Sequence, residues 1–152
     1  YGEELLAGLT APMDDRARGI LASNAQRATQ LDSEEARAIL GLNVMRNLLG
    51  LDVLAIDPKL CAAARDHSQD MRKLGFVGHI SPVAGKTEYW DRAKRFGTTA
   101  QGENIVIGPL DGRVANTAWF QSPVHPPILL RADYTRVGGG RTGRWFSVLR
   151  GK

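Results

Sequence analysis

Two histidines and one glutamate stand in settings that regular secondary structure does not explain. His79 lies in "GFVGHISP", a loop bounded by glycine and proline. Glu103 lies in "QGENIVIG", at the start of a short apolar, β-branched run. His125 lies in "SPVHPP". Proline fixes its own φ and pushes the residue before it toward extended geometry, so His125 is expected in a stiff, non-helical turn. Imidazole and carboxylate groups converging from separate loops suit zinc, among other divalent metals, and leave room for water. The same trio could instead do general acid–base work. Spread along the chain from 79 to 125, the three carry none of the specificity of a short metal motif.

Other chemistry is thinner. HExxH, GxSxG and P-loop patterns are missing. Gly138–Gly140 does not lead from a strand into a helix, so it is no phosphate cradle. Ser68 follows His67 directly, and neighbours on a helix point apart. Cys61 is the only cysteine, which excludes an internal disulfide and cysteine-based zinc sites. It sits in "KLCAAARD", an apolar helical run, and reads as a small buried side chain.

The elements that must position these groups can be read in outline. Residues 1–32 are polar and helix-friendly, with sparse apolar positions at Ile20, Leu21 and Leu31. They read as an N-terminal helical extension or a linker helix, and residues 33–152 as the main domain. A helix starts with Ser33 as N-cap, acids in its first turn, and stops at Gly50. Its apolar residues run most of the way around, so it should be largely buried, with Asn43, Arg46 and Asn47 bonded to loop backbone. Asp57-Pro58 opens a second helix that ends at Gly75. Leu60, Ala64, His67, Met71 and Leu74 form one stripe on it, and His67 reads as a satisfied core histidine. Thr87 is expected to cap a short third helix and Asp111 a fourth, "GRVANTAWFQ". Strand signals follow at "NIVIG" and in a hairpin of "TRVGGG" and "RWFSVL". The three adjacent glycines there imply close backbone approach or a bulge. This order argues for α+β, with helices on the faces of a small antiparallel sheet.

The 152 residues suit one domain with a single core. The composition is 43% apolar and 24% charged, ordinary for a globular chain. No run nears the roughly 20 apolar residues that span a bilayer, and no signal peptide is visible. Tyr1 is an unusual natural start, so the chain reads as a processed or trimmed form. The net charge of +4 comes from arginines spread along the chain. Nucleic-acid binding would want them clustered, so a solvated basic surface is expected instead.

Taken in order, these segments resemble a known family. "GLDVLAIDPKL", "ARDHSQDM", "GFVGHISP", "GENI" and "WFQSPVH" follow one another as in bacterial CAP domains, the superfamily of cysteine-rich secretory proteins, antigen 5 and pathogenesis-related 1 proteins. The resemblance runs from about Ser33 to Gly151. It implies an α-β-α sandwich, a twisted, mainly antiparallel sheet between helical layers. It also implies a shallow cleft with two histidines and two glutamates that in some relatives holds zinc. His79 matches the first histidine, Glu103 the glutamate of the "GENI" motif and His125 the last histidine. Ser122 stands where the second glutamate usually falls. Val124 replaces a usual glycine, Pro126, Pro127 and Ile128 replace polar residues, and Val148 stands about where a glutamine is common.

The expected function is that of an extracytoplasmic binding or interaction module, at the cell surface, in the periplasm or outside the cell, as a mature domain or the C-terminal part of a longer chain. Its candidate site is a divalent metal, zinc, on His79, His125 and Glu103. Both histidines would be ligands. Glu103 would be a third ligand or the group that orients a histidine or bound water. Protein, lipid or cell-envelope partners are expected, not nucleic acid. Binding is expected rather than catalysis. The alternatives are a metal-assisted or acid–base hydrolase using Glu103, His79 and His125, and a lipid- or sterol-binding module.

Overall fold

The computed structural model describes residues 12–108 and 111–152. Six helices and four strands alternate irregularly among them: α1 (Asp15–Ala28), α2 (Ser33–Leu48), β1 (Ala55–Ile56), α3 (Pro58–Leu74), α4 (Tyr89–Arg95), β2 (Gly102–Ile107), α5 (Gly112–Gln121), α6 (Pro126–Leu129), β3 (Arg136–Thr142) and β4 (Trp145–Gly151). Residues 1–11 of the expected extension lie outside the described part; α1 is the rest of it.

The helix signals act where the sequence puts them, with small shifts. Asp32, not Ser33, caps α2, because its carboxylate accepts from Glu34 N while Glu35 reaches back to the Asp32 amide in a capping box. Glu88, not Thr87, caps α4 by the same kind of box with Asp91. Asp57-Pro58 starts α3 and Gly75 ends it in the left-handed region, φ +71°. Asp111 caps α5 as expected. Leu74, placed on the buried stripe of α3, is half exposed in its last turn.

The sheet order is β1-β3-β4-β2. β4 pairs antiparallel with β2 and β3, but the two-residue β1 pairs parallel with β3, a strand too short to leave a sequence signal. Alternation along a strand sends successive side chains to opposite faces. On one face Val137, Phe146 and Val148 meet Ile39, Leu42, Trp119 and Tyr134, with the Trp119 and Phe146 rings edge-to-face at 5.8 Å. On the other, Leu149 packs with Leu60, Ala63, Ala64 and Ala93 of α3 and α4. The result is the expected α+β, α-β-α sandwich.

The triple glycine explains how α3 lies so close. A Cβ on Gly138 would stand 2.3 Å from Cys61 N, and one on Gly140 would stand 2.0 Å from Arg65 N, both helix backbone. Gly139, on the opposite face, has nothing nearer than 3.6 Å. Close approach, not a bulge, is the use of these residues.

α1 covers the β1 edge. Its buried Asn24 donates to Leu54 O and accepts from Ile56 N, and Arg27 donates to Ile56 O. Asn43 of α2 does the same for both polar groups of Leu54, as expected of a polar group on a buried helix. Arg46 donates to Asp52 O, Leu129 O and Arg131 O, tying α2 to the chain around α6.

Candidate functional site

β2 is an edge strand, and its Glu103 faces the α3–α4 layer. A carboxylate on an apolar strand, here 3% exposed, needs partners. The structure supplies an arginine that sequence reading missed. Arg92 of α4 is wholly buried, and its Nη2 donates to both oxygens of Glu103, at 2.8 and 2.7 Å. Its Nη1 donates to the carbonyls of His79, Lys86 and Thr87, at 3.1, 3.0 and 3.2 Å. One guanidinium therefore holds the carboxylate and the loop that carries His79. Nothing in "YWDRAKR" marks Arg92 among its basic neighbours. The signal was on the other side: a glutamate inside an apolar strand requires a buried cation.

His79 lies on the loop between α3 and α4. Its Nδ1 stands 2.9 Å from Glu103 Oε1, and its side chain is half exposed. An ionised carboxylate only accepts, so Nδ1 carries the proton and the lone pair of neutral His79 is on Nε2. Ser147 adds a hydrogen bond to Glu103 Oε2 at 3.3 Å. Burial alone would raise the Glu103 carboxyl, but the hydrogen bond from His79 and the charge of Arg92 outweigh it, leaving it below its ordinary value. His67 is the core histidine expected but is only half satisfied: Nε2 donates to Gly78 O at 2.9 Å, holding the residue next to His79, while Nδ1 is buried without a hydrogen-bond partner. Burial first, then Arg92, lowers its pKa.

His125 departs from expectation. It is in the right-handed helical region, φ −84° and ψ −38°, not extended. Pro126 and Pro127 occupy the first turn of α6, where proline fits. Leu129, fully buried, draws that turn inward, and the amides of Ile128 and Leu129 both donate to His125 O at 3.0 Å. Nδ1 of His125 is buried without a hydrogen-bond partner. Burial, then the charges of His79 and Arg150, lowers its pKa, so the ring is neutral near pH 7.

A cleft of about 300 Å³ opens beside His79, lined also by Tyr89, Gln101, Gly102, Glu103, Ile128, Arg131 and Tyr134. His79 and Glu103 thus share one cleft, and His125 does not line it. Ser122 ends α5 as its C-cap. Among the described residues no three His, Cys, Asp or Glu side chains gather as a metal-binding group. Both Glu103 oxygens are committed to Arg92, so of its two expected roles Glu103 fits the orienting one. A catalytic zinc takes three protein ligands, and these residues do not fit such a set.

Cys61 is buried, and its thiol is pushed up to about 12 by burial. A separate apolar cavity of about 410 Å³ lies between α1 and α2, lined by Leu21, Ala25, Ala28, Ala36, Ile39 and Leu40 among others.

Comparison with known proteins agrees with the fold. The family model described as CAP, the cysteine-rich secretory protein family, matches residues 41–144. The chain is 31% identical over 121 residues to the uncharacterized membrane protein YlbC of Bacillus subtilis (strain 168), covering 78% of this chain and 34% of that one. It is 32% identical over 114 residues to the uncharacterized protein YkwD of the same organism, covering 74% of this chain and 44% of that one. The chain thus spans less than half the length of either relative. Among solved structures, an extracellular protein containing a SCP domain from Bacillus anthracis str. Ames superposes with a TM-score of 0.75 at 24% identity, over 94% of this chain and 45% of that one.

Proposed function

The chain belongs to the cysteine-rich secretory protein family, the CAP domains, and on that footing we propose that it is an extracytoplasmic binding module that takes a small ligand beside His79. The observation that carries this reading is the His79 Nδ1–Glu103 contact of 2.9 Å at the wall of an open cleft. The carboxylate fixes the ring from behind and turns Nε2 into the position of a recognition atom. An extracytoplasmic setting is supported by the Bacillus anthracis protein of the same fold, which is described as extracellular. No helix among the described residues is long and apolar enough to cross a membrane. Titration with small organic acids, amides and sugars, followed by NMR, tests this reading. Shifts gathered on His79, Gln101 and Tyr134, and lost in His79→Ala, support it; shifts scattered over the surface contradict it.

A second reading, acid–base hydrolysis, is favoured by the same contact. An imidazole with its proton on Nδ1, held by a carboxylate, leaves Nε2 as the base that a hydrolytic water needs. It requires turnover of a peptide, ester or cell-wall bond that vanishes in His79→Ala with the fold intact. Lipid or sterol binding would draw on the apolar cavity between α1 and α2, and retention of a labelled sterol tests it.

A further inference from the structure

Each carboxylate near the cleft is already matched. Glu103 is held by Arg92 and His79. Asp133 is shared by Arg131, at 2.6 Å, and Lys152, at 2.9 Å. Arg150 has no carboxylate within ion-pair distance among the described residues, although Tyr134 and the charge of Glu103 favour its charged form. It is wholly buried on β4 and makes no ion pair among the described residues. Its Nη2 donates to Asn104 Oδ1, while its Nε and Nη1 are buried with no acceptor. Its guanidinium carbon lies 5.7 Å from the centre of the Tyr134 ring, and that of Arg131 lies 5.1 Å from the same ring. Tyr134 lines the cleft. One cleft-lining ring thus has two cations against it, one exposed and one buried.

Resting on the reading of the cleft as a ligand site, we propose that its ligand is a small organic anion, a carboxylate on a partly apolar body. Two further observations fit that class. Tyr89 and Tyr134 both donate their hydroxyl protons to Gln101 O, at 3.4 and 3.2 Å, so neither proton is free for a ligand and the nearby cations are the charges an anion would meet. The tyrosine rings and Ile128 give the cleft apolar surface for the rest of the molecule. A charge buried in low dielectric is weakly screened and acts across the ring into the cleft. Such a charge, unpaired, works against folding and is usually improved upon by an apolar side chain. Arg150 therefore serves recognition at the expense of stability.

The test titrates N-acetylalanine, its neutral amide and inorganic phosphate into the chain and into Arg150→Met and Arg150→Lys, reading the His79 and Gln101 resonances and the thermal midpoint. The acid is expected to bind about tenfold or more tighter than the amide. Arg150→Met should bring the two to near parity while raising the midpoint, and Arg150→Lys should keep the preference. Equal binding of acid and amide by the native chain overturns the proposal and leaves the cleft as a ligand site. So does an Arg150→Met variant that loses stability and keeps the preference. Phosphate binding tighter than the acid overturns the carboxylate assignment. No shift at the cleft from any probe overturns both this inference and the reading it rests on.

Discussion

Glu103 is the residue on which the site turns, because it is buried, charged and shared. Replacing it by glutamine leaves the Arg92 guanidinium buried opposite a neutral amide. Breaking one side of such a pair costs about 3–5 kcal/mol, so urea unfolding of Glu103→Gln should show a loss of that order. The acid limb of stability follows from the same groups. Glu103 titrates below its unfolded-state value of 4.5, so its contribution is full above that value and is lost as pH falls through the lower folded-state one. His67 and His125 titrate below 6.5 because burial disfavours their charged forms. Their contribution is full above 6.5 and is likewise lost as pH falls through their lowered values. Stability should therefore decline from about pH 6.5 downward, in two stages. Urea midpoints across that range check the order, and His125→Asn should shrink the upper stage to the part that His67 supplies.

Elements position these residues through backbone contacts that the sequence signals only partly. The glycine run announced close approach, but not which helix approaches. With α3 backbone 2.3 and 2.0 Å from the added Cβ atoms, Gly138→Ala and Gly140→Ala should each cost about 3 kcal/mol or more by overpacking. Gly139→Ala should be near neutral, and thermal unfolding of the three separates the faces of β3. α1 makes a second case. Asn24→Ala leaves Ile56 N buried without an acceptor, a loss of about 1–3 kcal/mol that hydrogen exchange at Ile56 would report. Caps at Asp57, Gly75 and Asp111 were legible because local chemistry fixes them. The two-residue β1 and the four-residue α6 were not, since tertiary packing of Leu54, Ile56 and Leu129 makes them. His125 shows the limit of a local rule: the bias before proline is real, and a buried Leu129 four residues on overrides it.

At the scale of the whole molecule, the ordered segments from "GLDVLAIDPKL" to "YTRVGGG" were enough to read the fold and the family. They pointed to His79, Glu103 and His125 at one cleft, although His125 does not line it, and they could not show what Glu103 does there. That depends on Arg92, which comes from a helix with no motif. The carboxylate of Glu103 is thus turned inward, toward Arg92, and the ring of His79 stands half exposed at the cleft. With both oxygens held by Arg92, Glu103 is expected to orient His79 rather than bind a metal. Long-range proton–nitrogen NMR of the His79 ring, recorded at neutral pH with and without one equivalent of zinc, tests it most directly. The expected result is a proton on Nδ1, shared with Glu103, and ring-nitrogen shifts unchanged by zinc. A proton on Nε2, or a zinc-induced shift of the ring nitrogens that disappears in Glu103→Gln, would contradict it.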